Sequence, residues 1–477
     1  MKKLFTIALL FPLLYNAQIT FFRSYGGSGN DFGESVLLTS DTCYLAVGAT
    51  ESFGNGTTDL YVFKVDSLGD YLWSNIYGGP NIDYGTDAVE LDDGSFLLCG
   101  YSNSGTMGYD YYLVKITANG QHQWTKRYGG EDWDLAYSIC KVNHSTNGYL
   151  IAGETYSYGA GSTDAYVIKI NEMGDTLWTK TYGGIGEEVF NEVKEDNHGN
   201  IICIGTTSSN TQYNDADIWV VKTDSLGNEI WNFTLNDTLD DEGISICFAS
   251  NGNYLIAGND QQPTNIAAFF GSIDTAGTLI FSNEFSGALN DFSTSILRHH
   301  DSTSYTLIAN SYSFASINEY TDILTTQLNG MFAIGGLTGI FGTNYNEVSN
   351  GADTTADHAI IITGTTTGTM NGMSSVFLLK LDTLLNANNN LIEDLDLSTP
   401  NSLMNNKLTI YPNPAKDFLH IDGIQKNENF YLFNSAGKLI SINNIENKII
   451  NISALKSGIY YISTKQKNKK NNCFIKL

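Results

Sequence analysis

Four tryptophans set the frame for this chain. Trp73, Trp124, Trp178 and Trp231 recur at intervals of 51, 54 and 53 residues. The segments after the first three end in the same tripeptide, Tyr77-Gly78-Gly79, Tyr128-Gly129-Gly130 and Tyr182-Gly183-Gly184, and Tyr25-Gly26-Gly27 is an earlier copy without its Trp. Self-similarity at a fixed period means that one supersecondary unit is stacked many times over. The clearest unit holds four short alternating or apolar runs, which predict strands a to d at Ala136–Val142, Tyr149–Thr155, Ala165–Ile170 and Thr176–Tyr182.

A four-stranded unit of this length is the size of a propeller blade. Seven a-b-c segments follow one another, beginning near Phe32, Gly85, Leu135, Val189, Gly243, Phe292 and Val348. The seventh ends at Val376–Leu381 with no d strand after it, and the lone run Ile19–Tyr25 is free to supply that strand. Such sharing of one blade by both ends closes the ring and removes exposed sheet edges. The expectation is an all-β chain: a seven-bladed β-propeller over 18–385 with an N-terminal strand closing the last blade, plus a small C-terminal β-sandwich. The spacing resembles that of secreted bacterial seven-bladed propeller repeats.

Composition agrees, with 12% aromatic residues, 47 Gly and 6 Pro among 477 residues. That is too aromatic for disorder and too rich in Gly for a helical bundle. The net charge of −26 is unevenly placed: residues 406–477 carry 11 Lys against 4 acids, leaving the remainder near −33. Phosphate backbones would be repelled by such a body, so nucleic acid is excluded as a partner.

The N-terminus, Met1-Lys2-Lys3 followed by an apolar run from Leu4 to Leu14 and then Tyr15-Asn16-Ala17-Gln18, has the layout of a secretory signal peptide over 1–17. No other stretch approaches the apolar length of a membrane span, so no transmembrane segment is expected in the mature protein. Cys43, Cys99, Cys140, Cys203, Cys247 and Cys473 are expected as small hydrophobes rather than disulfides, since Cys140 and Cys247 hold one repeat position in blades that are not neighbours.

An acid also recurs, four residues past the last Gly of the tripeptide: Asp31, Asp83, Asp134 and Glu188, with Asp241, Asp291 and Glu347 at similar places in weaker units. These acids are expected on the loop from strand d into the next innermost strand, on the face that also carries the b–c loops such as Ser157-Tyr158-Gly159-Ala160-Gly161-Ser162. Two readings stand. The carboxylates form a ligand or cation site, for which Ca2+ is the suited ion, or each caps its own turn through backbone N–H groups.

No cofactor and no catalytic residue is assigned. The turn Asp66-Ser67-Leu68-Gly69 before Trp73 fails the spacing of the sialidase Asp-box, and Arg23, Arg127 and Arg298 are too few for a sialidase carboxylate clamp.

Beyond the Asn-rich stretch 386–406, read as a linker, residues 407–477 form a separate module. It contains Leu408-Thr409-Ile410-Tyr411-Pro412-Asn413-Pro414, the hairpin Ala436-Gly437-Lys438, the pair Leu455-Lys456-Ser457-Gly458-Ile459-Tyr460, and Lys476 near its end. This resembles the type A sorting domain of the Bacteroidetes type IX secretion system. The resemblance implies passage across the outer membrane with that secretion machinery as partner, and a secreted or cell-surface location. Function is expected to be binding of a glycan or extracellular protein; hydrolysis of a polysaccharide by face carboxylates and a scaffold without a small-molecule site are the alternatives.

Overall fold

The computed structural model describes residues 18–387, except short stretches near 145, 210–214, 236, 301, 317, 331 and 370, together with stretches between 392 and 476. The expected signal peptide, Cys473, Pro412, Asn413, Pro414, Gly437 and Lys438 lie outside the described residues or side chains. Every element among the described residues is a β-strand. None is a helix long and apolar enough to cross a membrane.

Seven sheets repeat one plan, an antiparallel a-b-c-d meander. In the third blade the strands run Asp134–Val142, Gly148–Thr155, Asp164–Ile170 and Thr176–Tyr182. In the seventh sheet, Glu347–Thr354, Ile360–Thr366 and Ser375–Leu381 are completed by Phe21–Gly26, antiparallel to Ser375–Leu381, so the N-terminal strand closes the ring. Within the stretch read as a linker, Ile392–Asp396 adds a fifth strand to this blade, parallel to Phe21–Gly26.

The burial pattern explains the sequence pattern. Strands b and c are covered on both faces by neighbouring blades, and so Tyr44–Thr50 and Asp59–Val65 are buried throughout and apolar apart from Thr50, Asp59 and Lys64. Outer strands alternate between exposed and half-buried positions, as in His122–Tyr128. Each hydrophobic cluster spans a blade interface; one joins Leu45, Val62 and Trp73 of the first blade to Phe96, Leu98 and Val114 of the second. Another seals the ring by packing Phe21, Tyr25 and Val376 against Tyr44, Tyr61 and Phe63.

The repeated Tyr, Trp and Gly together form an inter-blade latch. Tyr25, Tyr77, Tyr128 and Tyr182 each donate the phenolic O–H to the carbonyl of the c–d turn glycine in the next blade, Gly69, Gly120, Gly174 and Gly227. Those glycines have φ between 74° and 78°, the left-handed region. At Gly120, Gly174 and Gly227 the Trp of the preceding blade lies against the face a Cβ would occupy. The Asp66 turn is capped by its own carboxylate, which accepts the N–H groups of Leu68 and Asp70, as expected of a plain glycine turn.

Strand a of every blade is interrupted by a register shift at one position, as between Gly33 and Ser35 and between Gly85 and Asp87. The bulge turns successive side chains toward the axis. The five described cysteines are free: Cys99, Cys203 and Cys247 are buried, and Cys43 and Cys140 half-buried.

The C-terminal unit, from Thr399, is compact by itself. Its strands form two antiparallel sheets, one of Thr409–Tyr411, Phe418–Asp422 and Ile449–Asn451, the other of Leu439–Asn444, Asn429–Asn434, Gly458–Ser463 and Asn472–Lys476. Of the motif residues, Tyr411, Gly458 and Tyr460 lie in strands, and Tyr460 donates its hydroxyl to the carbonyl of Lys456 at 2.9 Å.

Candidate functional site

The seven recurrent acids occupy one structural position. Asp31, Asp83, Asp134, Glu188, Asp241, Asp291 and Glu347 are each the first residue of an innermost strand, rather than loop residues, and are at most 2% exposed. Asp134 shows the pattern: its carboxylate accepts the N–H of Gly130 at 2.8 Å, the hydroxyl of Ser157 at 2.8 Å and the hydroxyl of Thr155. Asp31, Asp83, Glu188 and Asp291 likewise accept the N–H of Gly27, Gly79, Gly184 and Gly287, Glu347 that of Thr343, and Asp241 that of Gln261.

Burial pushes the carboxyls of Asp31 and Glu347 up, and hydrogen bonds pull them back. The donors around these carboxylates occupy lone pairs that Ca2+ would require. Among the described residues no three His, Cys, Asp or Glu form a group that could hold a metal ion. In six of the seven blades the acid caps the turn that precedes it, and in the fifth Asp241 bonds Gln261 instead.

The axis holds a cavity of about 530 Å³, lined by strand a of all seven blades. Asp87 and Glu192, each just past the bulge of its strand, face it. Burial raises the Asp87 carboxyl to about 6, against the N–H of Ile139 and the hydroxyl of Ser35. Glu192 accepts the N–H of Ile246 at 2.6 Å and pairs with Lys194 at 2.7 Å. Both acids therefore cross a blade boundary to satisfy a backbone donor exposed by the bulge.

A different feature sits on the face where the d–a and b–c connections emerge. Phe32, Tyr84, Tyr101, Tyr109, Trp133 and Tyr156 form one unbroken run across the first three blades, with successive centroids 6.4, 5.3, 5.5, 5.3 and 6.0 Å apart. Tyr84 and Tyr101 are stacked at 4°, and the Tyr101–Tyr109 and Tyr109–Trp133 contacts are edge-to-face. At the inner end the Tyr84 hydroxyl donates to Glu34 at 2.5 Å, and Glu34 lines the axial cavity. Exposure rises outward, to 51% at Trp133 and 46% at Tyr156. Alongside, the Tyr137 hydroxyl donates to Glu154 at 2.8 Å.

This arc departs from the repeat. The first cross-strand pair after each acid is Phe32–Ala49, Tyr84–Tyr101, Leu135–Glu154, Val189–Thr206, Glu242–Asn259, Phe292–Asn310 and Val348–Thr365. Only the second blade places two rings there. None of the arc residues is among the site residues read from the sequence, where Phe32 appears only as the start of the first unit and the others are marked only by their divergence from sister units.

Comparison with known proteins addresses the C-terminal unit directly: residues 409–476 match the family model described as the secretion system C-terminal sorting domain. The C-terminal unit is a type IX secretion sorting domain, the mark of an exported protein. That domain implies the secretion machinery as a partner and marks a secreted or cell-surface protein.

The exported propeller is 23% identical over 306 residues to an uncharacterised WD repeat-containing protein of Acanthamoeba polyphaga mimivirus, covering 56% of this chain and 21% of that one. The matched region is thus about a fifth of that relative's length. Among solved structures, it is similar to a protein from Lactobacillus plantarum, with 11% identity, 86% and 99% of the two chains covered and a TM-score of 0.46. It is also similar to PorZ, a surface component of the type IX secretion system of Porphyromonas gingivalis, with 11% identity, coverage of 92% and 68% and a TM-score of 0.36.

Proposed function

We propose that this exported propeller is a binding module that holds a glycan through the aromatic arc of its first three blades. The observation that carries the reading is the continuous ring run from Phe32 to Tyr156, ending in exposed Trp133 and Tyr156. Soluble proteins rarely leave large rings exposed side by side without a partner. Ring faces stack on the C–H faces of sugars, while Tyr hydroxyls and the neighbouring carboxylates bond sugar hydroxyls.

The test is the melting temperature of the protein across a panel of soluble oligosaccharides, because a ligand of the native state raises it by mass action. A rise with one sugar, abolished by Trp133→Ala with Tyr156→Ala, supports the reading. A rise that survives both substitutions places the site elsewhere, and no rise with any sugar favours an extracellular protein partner or a scaffold role.

Hydrolysis is the second reading, favoured by the raised carboxyl of Asp87 near Glu192 in the axial cavity. It ranks lower because both side chains are engaged in bonds between blades. Release of reducing ends from a bound sugar, lost in Glu192→Gln, would reverse that order.

A further inference from the structure

The outer end of the arc is one copy of a contact that recurs around the ring. In six blades the residue after strand b donates its backbone N–H to the carbonyl of the residue before strand a, at 2.7–3.1 Å. Glu51–Asn30, Ser208–Glu187 and Tyr312–Asn290 are such pairs, and in the third blade the pair is Tyr156–Trp133 at 2.7 Å. The fifth blade carries Gln261 and Asp240 at these positions. Two rings therefore meet at this point in the third blade alone.

The two loops that carry the rings are bonded to each other before any ligand arrives. The Tyr158 hydroxyl donates to the Gly129 carbonyl at 2.8 Å, and the Asp132 N–H to the Ser157 hydroxyl at 3.1 Å. The centroids of Trp133 and Tyr156 lie 6.0 Å apart with their planes at 64°, a fixed corner with each ring about half exposed. From Tyr101 outward, successive rings are turned by 84°, 88° and 64°.

We propose that this corner takes a single terminal sugar of a glycan, held between the indole of Trp133 and the phenol of Tyr156, and that the rings from Phe32 to Tyr109 buttress it. This rests on the glycan reading above. One ring stacks on the C–H face of the sugar while the other meets its edge, and the bonded loops spare the cost of ordering them on binding. The same geometry disfavours the interior of a polysaccharide. An extended chain lies flat across rings whose faces share a plane, and no two neighbouring rings from Tyr101 outward do. With one such corner among seven blades, a single molecule also gains no avidity from the repeating units of a polymer.

Calorimetric titration of the full-length protein with glucose, mannose and N-acetylglucosamine and their oligomers of two, four and six units tests this. In the series that binds, affinities from one unit to six should agree within about twofold, with one sugar chain per protein. Trp133→Ala and Tyr156→Ala should each weaken binding about tenfold, because the corner needs both walls. Tyr312→Ala, which removes the ring at the matching position of the sixth blade, should leave affinity unchanged.

Affinity that climbs about tenfold or more from two units to six, and is lost in Trp133→Ala, overturns the single-sugar assignment and leaves the glycan reading standing. Binding that survives both Trp133→Ala and Tyr156→Ala overturns both, as does binding of none of the three series.

Discussion

Tyr128 donates its hydroxyl to the carbonyl of Gly174 at 2.5 Å, reaching from the outer strand of one blade to the c–d turn of the next. The same glycine lies under Trp124, so that a Cβ there would stand 2.9 Å from the indole. Turn, ring and hydroxyl form one contact, and its copies at Gly69, Gly120 and Gly227 make the blades register with one another. The repeat period thus records the spacing of interfaces as well as the length of a blade.

This distinguishes two glycines of equal conformation. Gly174 has φ 76° and is crowded; Gly94 has φ 75° and has nothing within 4 Å of a would-be Cβ. Gly94→Ala should cost about 1 kcal/mol, the backbone term alone. Gly174→Ala should cost about 3 kcal/mol, because indole and turn must also separate. Urea unfolding of the two variants measures the difference, and equal losses would show that the latch contributes nothing.

Removing one buried turn cap should be more damaging than removing an exposed acid nearby. Asp134→Ala strands the N–H of Gly130 and the hydroxyls of Thr155 and Ser157, for an expected loss of about 2–4 kcal/mol. Asp132→Ala, at an exposed side chain, should change stability by less than about 0.5 kcal/mol. If Ca2+ at millimolar concentration raises the melting temperature of the parent protein and leaves that of the Asp134 variant unmoved, the acid is a ligand as well as a cap.

Stability should also fall as pH rises through neutrality. Burial pushes the Glu34 carboxyl from its ordinary 4.5 up to about 7, with the Tyr84 hydrogen bond pulling the other way. The folded protein therefore holds this proton more tightly than the unfolded chain does. The resulting stabilisation is complete below pH 4.5 and is lost as pH rises through about 7. Solvent in the axial cavity screens the group, so about 1–2 kcal/mol of the loss is expected from it. Glu34→Gln should flatten the urea midpoint against pH by that amount, and an unchanged slope would assign the effect to the net negative charge.

What the sequence reveals here is what recurs. Trp73, the Tyr-Gly-Gly tripeptides and the apolar b and c strands repeat because every blade interface needs the same contacts, and strand ends followed to within a few residues. The strand Phe21–Gly26 was legible as the closing d strand because the seventh unit lacked one. The recurrent acids also announced themselves, and in six blades each bonds the turn before it. The aromatic arc is local by contrast: the Tyr84–Tyr101 pair and Trp133 depart from the repeat, and only the packing of one blade on the next brings Phe32 within reach of Tyr84, 52 positions later. Likewise, Ile392–Asp396 is too short and too acidic to show the alternation of a strand, and it forms because Phe21–Gly26 offers an open edge.

That last strand carries its own prediction. An open outer edge at the closing blade presents unsatisfied backbone groups, and parallel addition of Ile392–Asp396 covers them at the seam where the two ends of the ring meet. A chain ending at 398 keeps the cover, and one ending at 387 loses it while retaining all four regular strands of the blade. The shorter chain should melt a few degrees lower, in line with about 1–2 kcal/mol for a five-residue edge strand. It should also self-associate on concentration as exposed edges pair, which sedimentation velocity would detect. Identical melting and sedimentation of the two chains would mean that Phe21–Gly26 closes the ring without help.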